Sequence, residues 1–235
     1  MKSAILIGNR GTTDIQYKKL KIQKIDKDGI IHTTYKDTNV MIPGKQGGDC
    51  LTGRILRPSE VIAMQNVIKF NNEESTMFNS ILLLGARYEE CKIIQKDARC
   101  LDGSFVTVSN KKVKAKETQG ATRNIKLSNM GKLVISQFFY TEKKLPTISA
   151  YNEKLKRWAH LAQIDEQHIS VRMLRKTWES WLYACYPEYL NTIVKYQGHT
   201  EKTAMKYYVD NKFEDEDIQQ MRPFIEGWKP AEKGW

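Results

Sequence analysis

Arg172-Met173-Leu174-Arg175-Lys176-Thr177-Trp178-Glu179-Ser180-Trp181-Leu182 is the stretch on which the reading of this chain turns. Together with Ile169-Ser170-Val171 it reads as one amphipathic helix. Val171, Leu174, Trp178, Trp181 and Leu182 fall at helical spacing and form a buried face. Arg172 and Arg175 lie one turn apart, with Lys176 beside them. Three cations in one turn repel each other unless an anion neutralises them, and a water-facing helix ordinarily mixes signs. Guanidinium forks bind such an anion bidentately.

Downstream, a helix from Glu188 to Tyr196 stops at Gly198, the position of a terminating glycine. Gly198-His199-Thr200-Glu201-Lys202-Thr203-Ala204-Met205-Lys206-Tyr207-Tyr208 then brings together an imidazole, two lysines and two adjacent phenols. Phe213 to Met221 reads as a further helix with an acidic start. Trp228 and Trp235 follow, apolar and without an evident place in the chain. They would pack locally or on a partner.

Upstream, Tyr151, Leu155, Trp158, Ala159 and Ala162 form another apolar stripe. Residues 99–128 are not helical. Phe105-Val106-Thr107-Val108 and Arg123-Asn124-Ile125-Lys126-Leu127 read as strands around the lysine-dense tract Asn110-Lys111-Lys112-Val113-Lys114-Ala115-Lys116. A small sheet with a basic hairpin results. One helix begins at Arg57-Pro58-Ser59-Glu60, and a second follows Asn71-Asn72-Glu73-Glu74. The second ends at Gly85, and Ala86-Arg87-Tyr88-Glu89-Glu90 follows at once. Arg87 and Glu90 are three apart and share a helix face. Residues 1–53 differ in texture. Asp28-Gly29 between β-forming runs signals a hairpin, and Pro43-Gly44-Lys45-Gln46-Gly47-Gly48 reads as a connection. The expected division is a short basic β-like segment over 1–53, a main domain over 54–228 and a tail over 229–235.

The 235 residues suffice for one large domain. Lys and Arg number 38 against 27 Asp and Glu, a formal charge of +11, which favours an anionic partner. Four cysteines without CxxC spacing and four histidines offer no zinc pattern. No apolar run reaches the ~20 residues of a membrane span. A soluble protein of a reducing, intracellular compartment is expected, with no membrane partner. There is no Walker-type phosphate loop and no carboxylate cluster for Mg²⁺. What remains is a phenol, Tyr207 or Tyr208, and many phosphate-binding donors. That set suits metal-free phosphoryl transfer, because surrounding cations favour a phenolate and neutralise charge at phosphorus.

These boxes, in order, resemble the catalytic domain of tyrosine recombinases, particularly the integrases of archaeal viruses and plasmids. Gly85-Ala86-Arg87-Tyr88-Glu89-Glu90 is similar to the family's first box, Arg with Glu three residues on. Arg172-Met173-Leu174-Arg175-Lys176-Thr177 is similar to its second. Gly198-His199-Thr200 resembles the Gly-His that precedes the nucleophile by about nine residues, a spacing that selects Tyr208 over Tyr207. The resemblance covers about residues 54–228. It implies an α+β fold, mainly helical with a small antiparallel sheet.

The implied chemistry is DNA strand cleavage and rejoining through a 3′-phosphotyrosyl link, without cofactor or metal. Arg87 and Arg175 would clamp the scissile phosphate, with Arg172 beside them and His199 supporting it. Lys116, or else Lys114, would protonate the leaving 5′-hydroxyl. Glu90 would orient the Arg87 region, Lys176 and Tyr207 would support, and Lys111, Lys112, Lys114 and Arg123 would touch DNA. Double-stranded DNA is the implied partner, in the cytoplasm of a prokaryotic host. A homo-tetramer on DNA would be linked through residues 211–228, with the free chain able to be monomeric. Two departures stand out. Arg172 occupies the place where the family commonly has His or Lys, and arginine stays protonated. The family's helical domain of about a hundred residues ahead of the catalytic one is replaced by about 53 residues of β-like pattern. A catalytically idle DNA-binding regulator of excision and a type IB topoisomerase-like enzyme are the alternatives.

Overall fold

The computed structural model describes residues 54–109, 122–199 and 213–230, and the backbone of 17–25 and 31–39. The chain divides into two compact units, 1–52 and 53–235. In the first, β1 (Tyr17–Ile25) and β2 (Ile31–Asn39) pair antiparallel, with Ile25 opposite Ile31 and Tyr17 opposite Asn39.

The second unit is mainly helical. Its helices are α1 (Pro58–Ile68), α2 (Asn72–Leu84), α3 (Tyr88–Ile94), α4 (Asn129–Phe138), α5 (Ile148–Leu161), α6 (Val171–Cys185), α7 (Leu190–Gln197) and α8 (Asp215–Ile225). A three-stranded antiparallel sheet of β3 (Leu101–Asp102), β4 (Phe105–Ser109) and β5 (Thr122–Lys126) lies between α3 and α4 in sequence. Short 3₁₀ turns precede β3 and α7, so the helix read from Glu188 starts as a 3₁₀ turn and becomes α-helical at Leu190.

The starts follow side-chain chemistry. Asn71, Ser128 and Thr147 each accept a backbone N–H of the first turn of α2, α4 and α5, satisfying donors that no helix can satisfy within itself. Helix α6 has no such cap of its own. Asn152 Oδ1 of α5 takes the Val171 N–H instead, at 2.9 Å.

Helices α2 and α6 form the centre of the core. Met77, Phe78 and Ile81–Leu84 of α2 are buried, as are Leu174, Trp178, Trp181 and Leu182 of α6. The two pack on each other, α4 covers α2, and α5 covers α6. Trp158 meets Phe78 and Tyr151 edge-on. A fully buried aromatic of this kind is worth about 3–5 kcal/mol against alanine. The extended lead-in to α1 is fastened to α6, since Leu56 N donates to Thr177 Oγ1 and Trp181 Nε1 donates to Leu56 O.

Helix α8 packs on α1, α4 and α6 of its own chain, burying Met221, Phe224 and Ile225. Trp228 is buried as well, stacked on Tyr186 with ring centres 5.6 Å apart. Its place is therefore local, whereas Trp235 lies outside the described residues. Among the described residues, no helix is long and apolar enough to cross a membrane.

Candidate active site

Two helices end beside one another in the same way. α2 stops at Gly85 and α7 at Gly198, both left-handed, with φ of 56° and 68°. A Cβ at Gly85 would stand 2.5 Å from Trp178 Cδ1, and one at Gly198 would stand 2.8 Å from Arg123 Cδ. Backbone angle and space both require glycine at these two positions. Their carbonyls carry the negative end of each helix, which suits a cation. Arg175 Nη1 donates to Gly85 O at 2.9 Å and its Nη2 to Gln197 O at 2.5 Å. Arg87 Nη2 donates to Gly198 O at 3.1 Å.

Behind Arg87 stands Glu90, buried to 4 % exposure. Its Oε2 accepts the Arg87 N–H at 2.8 Å, and its Oε1 accepts from Arg87 Nη1 at 2.9 Å. Arg123 grips the same carboxylate with both terminal nitrogens, at 2.9 and 2.7 Å. Burial by itself raises the Glu90 pKa. The hydrogen bonds and charge of Arg123, then those of Arg87, outweigh it and hold the group down at about 2. Arg123 Nε also donates to Tyr196 O at 3.0 Å, tying β5 to the last turn of α7.

This corrects one expectation from the sequence. Arg123 was expected to touch DNA, but its guanidinium is committed to Glu90 inside the protein, at 8 % residue exposure. The β4–β5 register explains it. Arg123 alternates with Ile125 on the inward side of β5, opposite Val108 and Val106.

Arg87, Arg172, Arg175 and Lys176 line a cleft of about 690 Å³ together with Tyr88 and Ser170. Its walls come from the first turns of α3, α5 and α6, whose N-terminal ends carry partial positive charge. Glu89 also lies on the wall, paired with Lys92 at 3.2 Å. Burial, and then the neighbouring Arg172 charge, lowers the Lys176 pKa below the usual lysine range, while Glu179 pulls it the other way. Tyr88 is unsuited to ionise. Its hydroxyl donates to Pro146 O at 3.2 Å, and burial, followed by Cys91 and Glu89, raises its pKa.

His199 follows Gly198 directly but does not line the cleft. Its Nε2 meets Oε1 of Glu179, a fully buried carboxylate one helical turn beyond Arg175 and Lys176. The Tyr183 hydroxyl donates to the same oxygen at 3.3 Å. Sequence reading passed over Glu179, although a charged residue in the middle of an apolar stripe was a usable signal. Asn152 gave none, since its role depends on where α5 meets α6.

The structure thus brings Arg87, Glu90, Arg172, Arg175 and Lys176 together, with His199 adjoining through Gly198. Lys111, Lys112, Lys114, Lys116, Tyr207 and Tyr208 lie outside the described residues. Among the described residues, no three His, Cys, Asp or Glu side chains converge as metal ligands would.

No protein-family model matches the sequence, and no curated protein matches it. Solved structures do. A XerA recombinase superposes with TM-score 0.54 at 13 % identity, covering 78 % of this chain and 66 % of its own. A XerH site-specific recombinase in a post-cleavage complex with a palindromic difH substrate gives 0.52 at 15 %, covering 77 % and 54 %. The same enzyme's pre-cleavage complex with difH gives 0.52 at 13 %, covering 86 % and 59 %. The chain spans between about half and two thirds of the length of these neighbours. At such identities the likeness is one of fold. The fold is that of the tyrosine recombinase catalytic domain, mostly helical with a small antiparallel sheet.

Proposed function

We propose that this chain is a site-specific DNA recombinase, a strand transferase that cleaves and rejoins duplex DNA through a 3′-phosphotyrosyl intermediate without a metal. The observation that carries the reading is the cationic cleft. Arg87 and Arg175 both line it, each aimed by the carbonyl of a left-handed glycine cap. Preorganised donors of this kind stabilise charge developing on non-bridging phosphate oxygens, and removing one typically costs 10²–10³-fold in rate. Three guanidiniums, an ammonium and helix N-termini form an anion site whose donors match a phosphodiester.

Tyr208 attacks phosphorus, the P–O5′ bond breaks, and Lys116, or else Lys114, gives its proton to the 5′-oxygen. The phosphotyrosyl link conserves the bond energy for rejoining to another strand. Arg172 and Lys176 add charge to the cleft, and Lys111 and Lys112 contact the duplex backbone. The division into a basic segment over 1–53, a catalytic domain over 54–228 and a tail belongs to this reading. So do an archaeal viral or plasmid origin, integration or excision of that element in a prokaryotic cell, and a tetramer on DNA. The seat of α8 on its own chain supports a folded single chain before assembly.

The test uses nicked duplexes of randomised sequence. A protein–DNA adduct that survives denaturation, persists in EDTA and vanishes in Tyr208→Phe is the expected outcome. Loss in Tyr207→Phe with retention in Tyr208→Phe moves the nucleophile by one residue. A strict Mg²⁺ requirement, or no adduct on any duplex, overturns the reading. Binding weakens steeply with salt, as phosphate-dominated contact requires.

A further inference from the structure

Arg123 stands apart from the other cations of the site. Arg87, Arg172, Arg175 and Lys176 line the cleft, whereas Arg123 lies behind it, with 6 % of its side chain exposed. It nevertheless touches both supports of Arg87. The first is Glu90. Each Glu90 oxygen accepts one bond from Arg123 and one from Arg87, the Arg87 donors being its backbone N–H and its Nη1. The second is the glycine cap of α7. Arg123 Nε donates to Tyr196 O, and its side chain passes so close to Gly198 that a Cβ there would meet Arg123 Cδ at 2.8 Å. The Gly198 carbonyl in turn accepts from Arg87 Nη2.

Charge gives this arrangement a purpose beyond holding β5 in place. Burial works to raise the Glu90 pKa, yet Arg123 and then Arg87 keep it at about 2, so the carboxylate is ionised. A guanidinium that faces such a carboxylate alone forms a neutral pair, with its fork turned onto the two oxygens. A phosphate gains little from a cation already neutralised. Two guanidiniums on one carboxylate leave one positive charge over. Arg123 and Glu90 are buried, while Arg87 keeps 39 % of its side chain exposed at the cleft, so the surplus is displayed there. The side of the sheet that carries Arg123 is otherwise the buried Val106, Val108 and Ile125. Packing apolar residues in place of a buried ion network is often neutral or stabilising, so stability alone gives little reason for an arginine here.

We propose that Arg123 is a positioning residue: it takes up the charge of Glu90, so that Glu90 and the Gly198 carbonyl aim Arg87 into the cleft without cancelling the positive charge that Arg87 presents to the scissile phosphate. This rests on the strand-transfer reading. No proton or covalent bond moves in the role itself, and Arg123 acts on the phosphate only through Arg87.

Two measurements on the full chain test this. In the first, binding to duplex DNA is followed against salt for wild type, Arg87→Met, Arg123→Met and Arg123→Lys. The slope of log affinity on log salt counts the phosphates neutralised. Arg123→Met is expected to lose about 0.9 of slope, one phosphate contact, as Arg87→Met does, although residue 123 lies behind the cleft. Arg123→Lys keeps the charge and the wild-type slope. A slope that falls in Arg87→Met alone, or in neither variant, overturns the proposal. A merely structural role lowers the melting temperature of Arg123→Met and leaves the slope of the folded protein in place, which overturns it as well. In the second, adduct formation on the nicked duplex pool is timed. Arg123→Met should slow it by about 10²–10³-fold, the loss expected at Arg87 itself. Adding Glu90→Gln to Arg123→Met should return part of the rate and of the slope, because Arg87 is no longer neutralised. A further slowing on that addition overturns the proposal. Should Arg123→Met fail to fold, the variant that also carries Glu90→Gln strands no carboxylate and takes its place. A slope and rate above those of Arg87→Met then support the proposal, and values at or below them overturn it. If wild type forms no adduct, strand transfer falls, and the salt slope decides the role of Arg123 by itself.

Discussion

Arg57-Pro58-Ser59-Glu60 and Arg87-Tyr88-Glu89-Glu90 are the same device used twice. Each places an arginine just before a helix and a glutamate three residues on. Each glutamate returns to the arginine's backbone N–H, at 2.9 and 2.8 Å. Their fates are opposite. Arg57 is sealed in, at 6 % exposure, against Asp217. Arg87 keeps 39 % of its side chain exposed at the mouth of a cleft. The glutamates diverge as well. For Glu60 burial is the largest influence and outweighs Arg54 and the Arg57 N–H, so its pKa is raised. For Glu90 the two-pronged grip of Arg123 and the added bonds from Arg87 reverse that outcome. One local motif thus becomes a fastening or a ligand clamp according to what distant elements bring to it.

That contrast can be broken by experiment. The largest expected effect is on stability at the fastening. Arg57→Met leaves Asp217 buried and uncompensated and should cost about 3–5 kcal/mol, measured by denaturant unfolding. If Arg57→Met unfolds no more easily than Arg87→Met, the division fails. At the clamp the loss is in rate. Arg87→Met should slow adduct formation 10²–10³-fold, equivalent to about 3–4 kcal/mol, while changing stability by no more than about 1 kcal/mol because its charge is partly in water.

Acid titration separates the two glutamates by sign. Glu90 has a folded pKa of about 2 against an ordinary 4.5. It therefore contributes on the order of 3 kcal/mol that is fully present above pH 4.5 and lost as pH falls towards 2. Glu90→Gln should flatten the stability profile in that window. Glu60, with a raised pKa, contributes in the opposite sense, and Glu60→Gln should steepen the acid-side loss. Parallel profiles for the two variants would erase the distinction. At Gly198→Ala the left-handed backbone alone should cost about 1–2 kcal/mol, before the Arg123 side chain shifts to clear the new Cβ. This loss should be accompanied by slower cleavage, since the Gly198 carbonyl helps aim Arg87.

Much of this was legible in the residues. The spacing of Val171, Leu174, Trp178, Trp181 and Leu182 located the central helix, and Gly85 and Gly198 marked two helix ends. The pairing of Arg87 with Glu90 could be read from their separation. Sequence could not tell the two Arg-x-x-Glu boxes apart, because Asp217 and Arg123 arrive from 160 and 33 residues away. Arg123 reads as part of a basic hairpin because it follows the lysine-dense tract 111–116 in sequence, while strand alternation turns it inward. Glu179 went unremarked because its partner, His199, comes 20 residues later from beyond another helix.

The glycine caps have one more consequence. The guanidiniums of Arg87 and Arg175 rest in part on main-chain oxygens at the ends of α2 and α7. Such oxygens are supplied by any sequence that keeps the two helices and their final glycines. The spacing between these two charges is therefore written into the backbone like the gap of a caliper. Side chains around it are free to drift far while that gauge holds its setting.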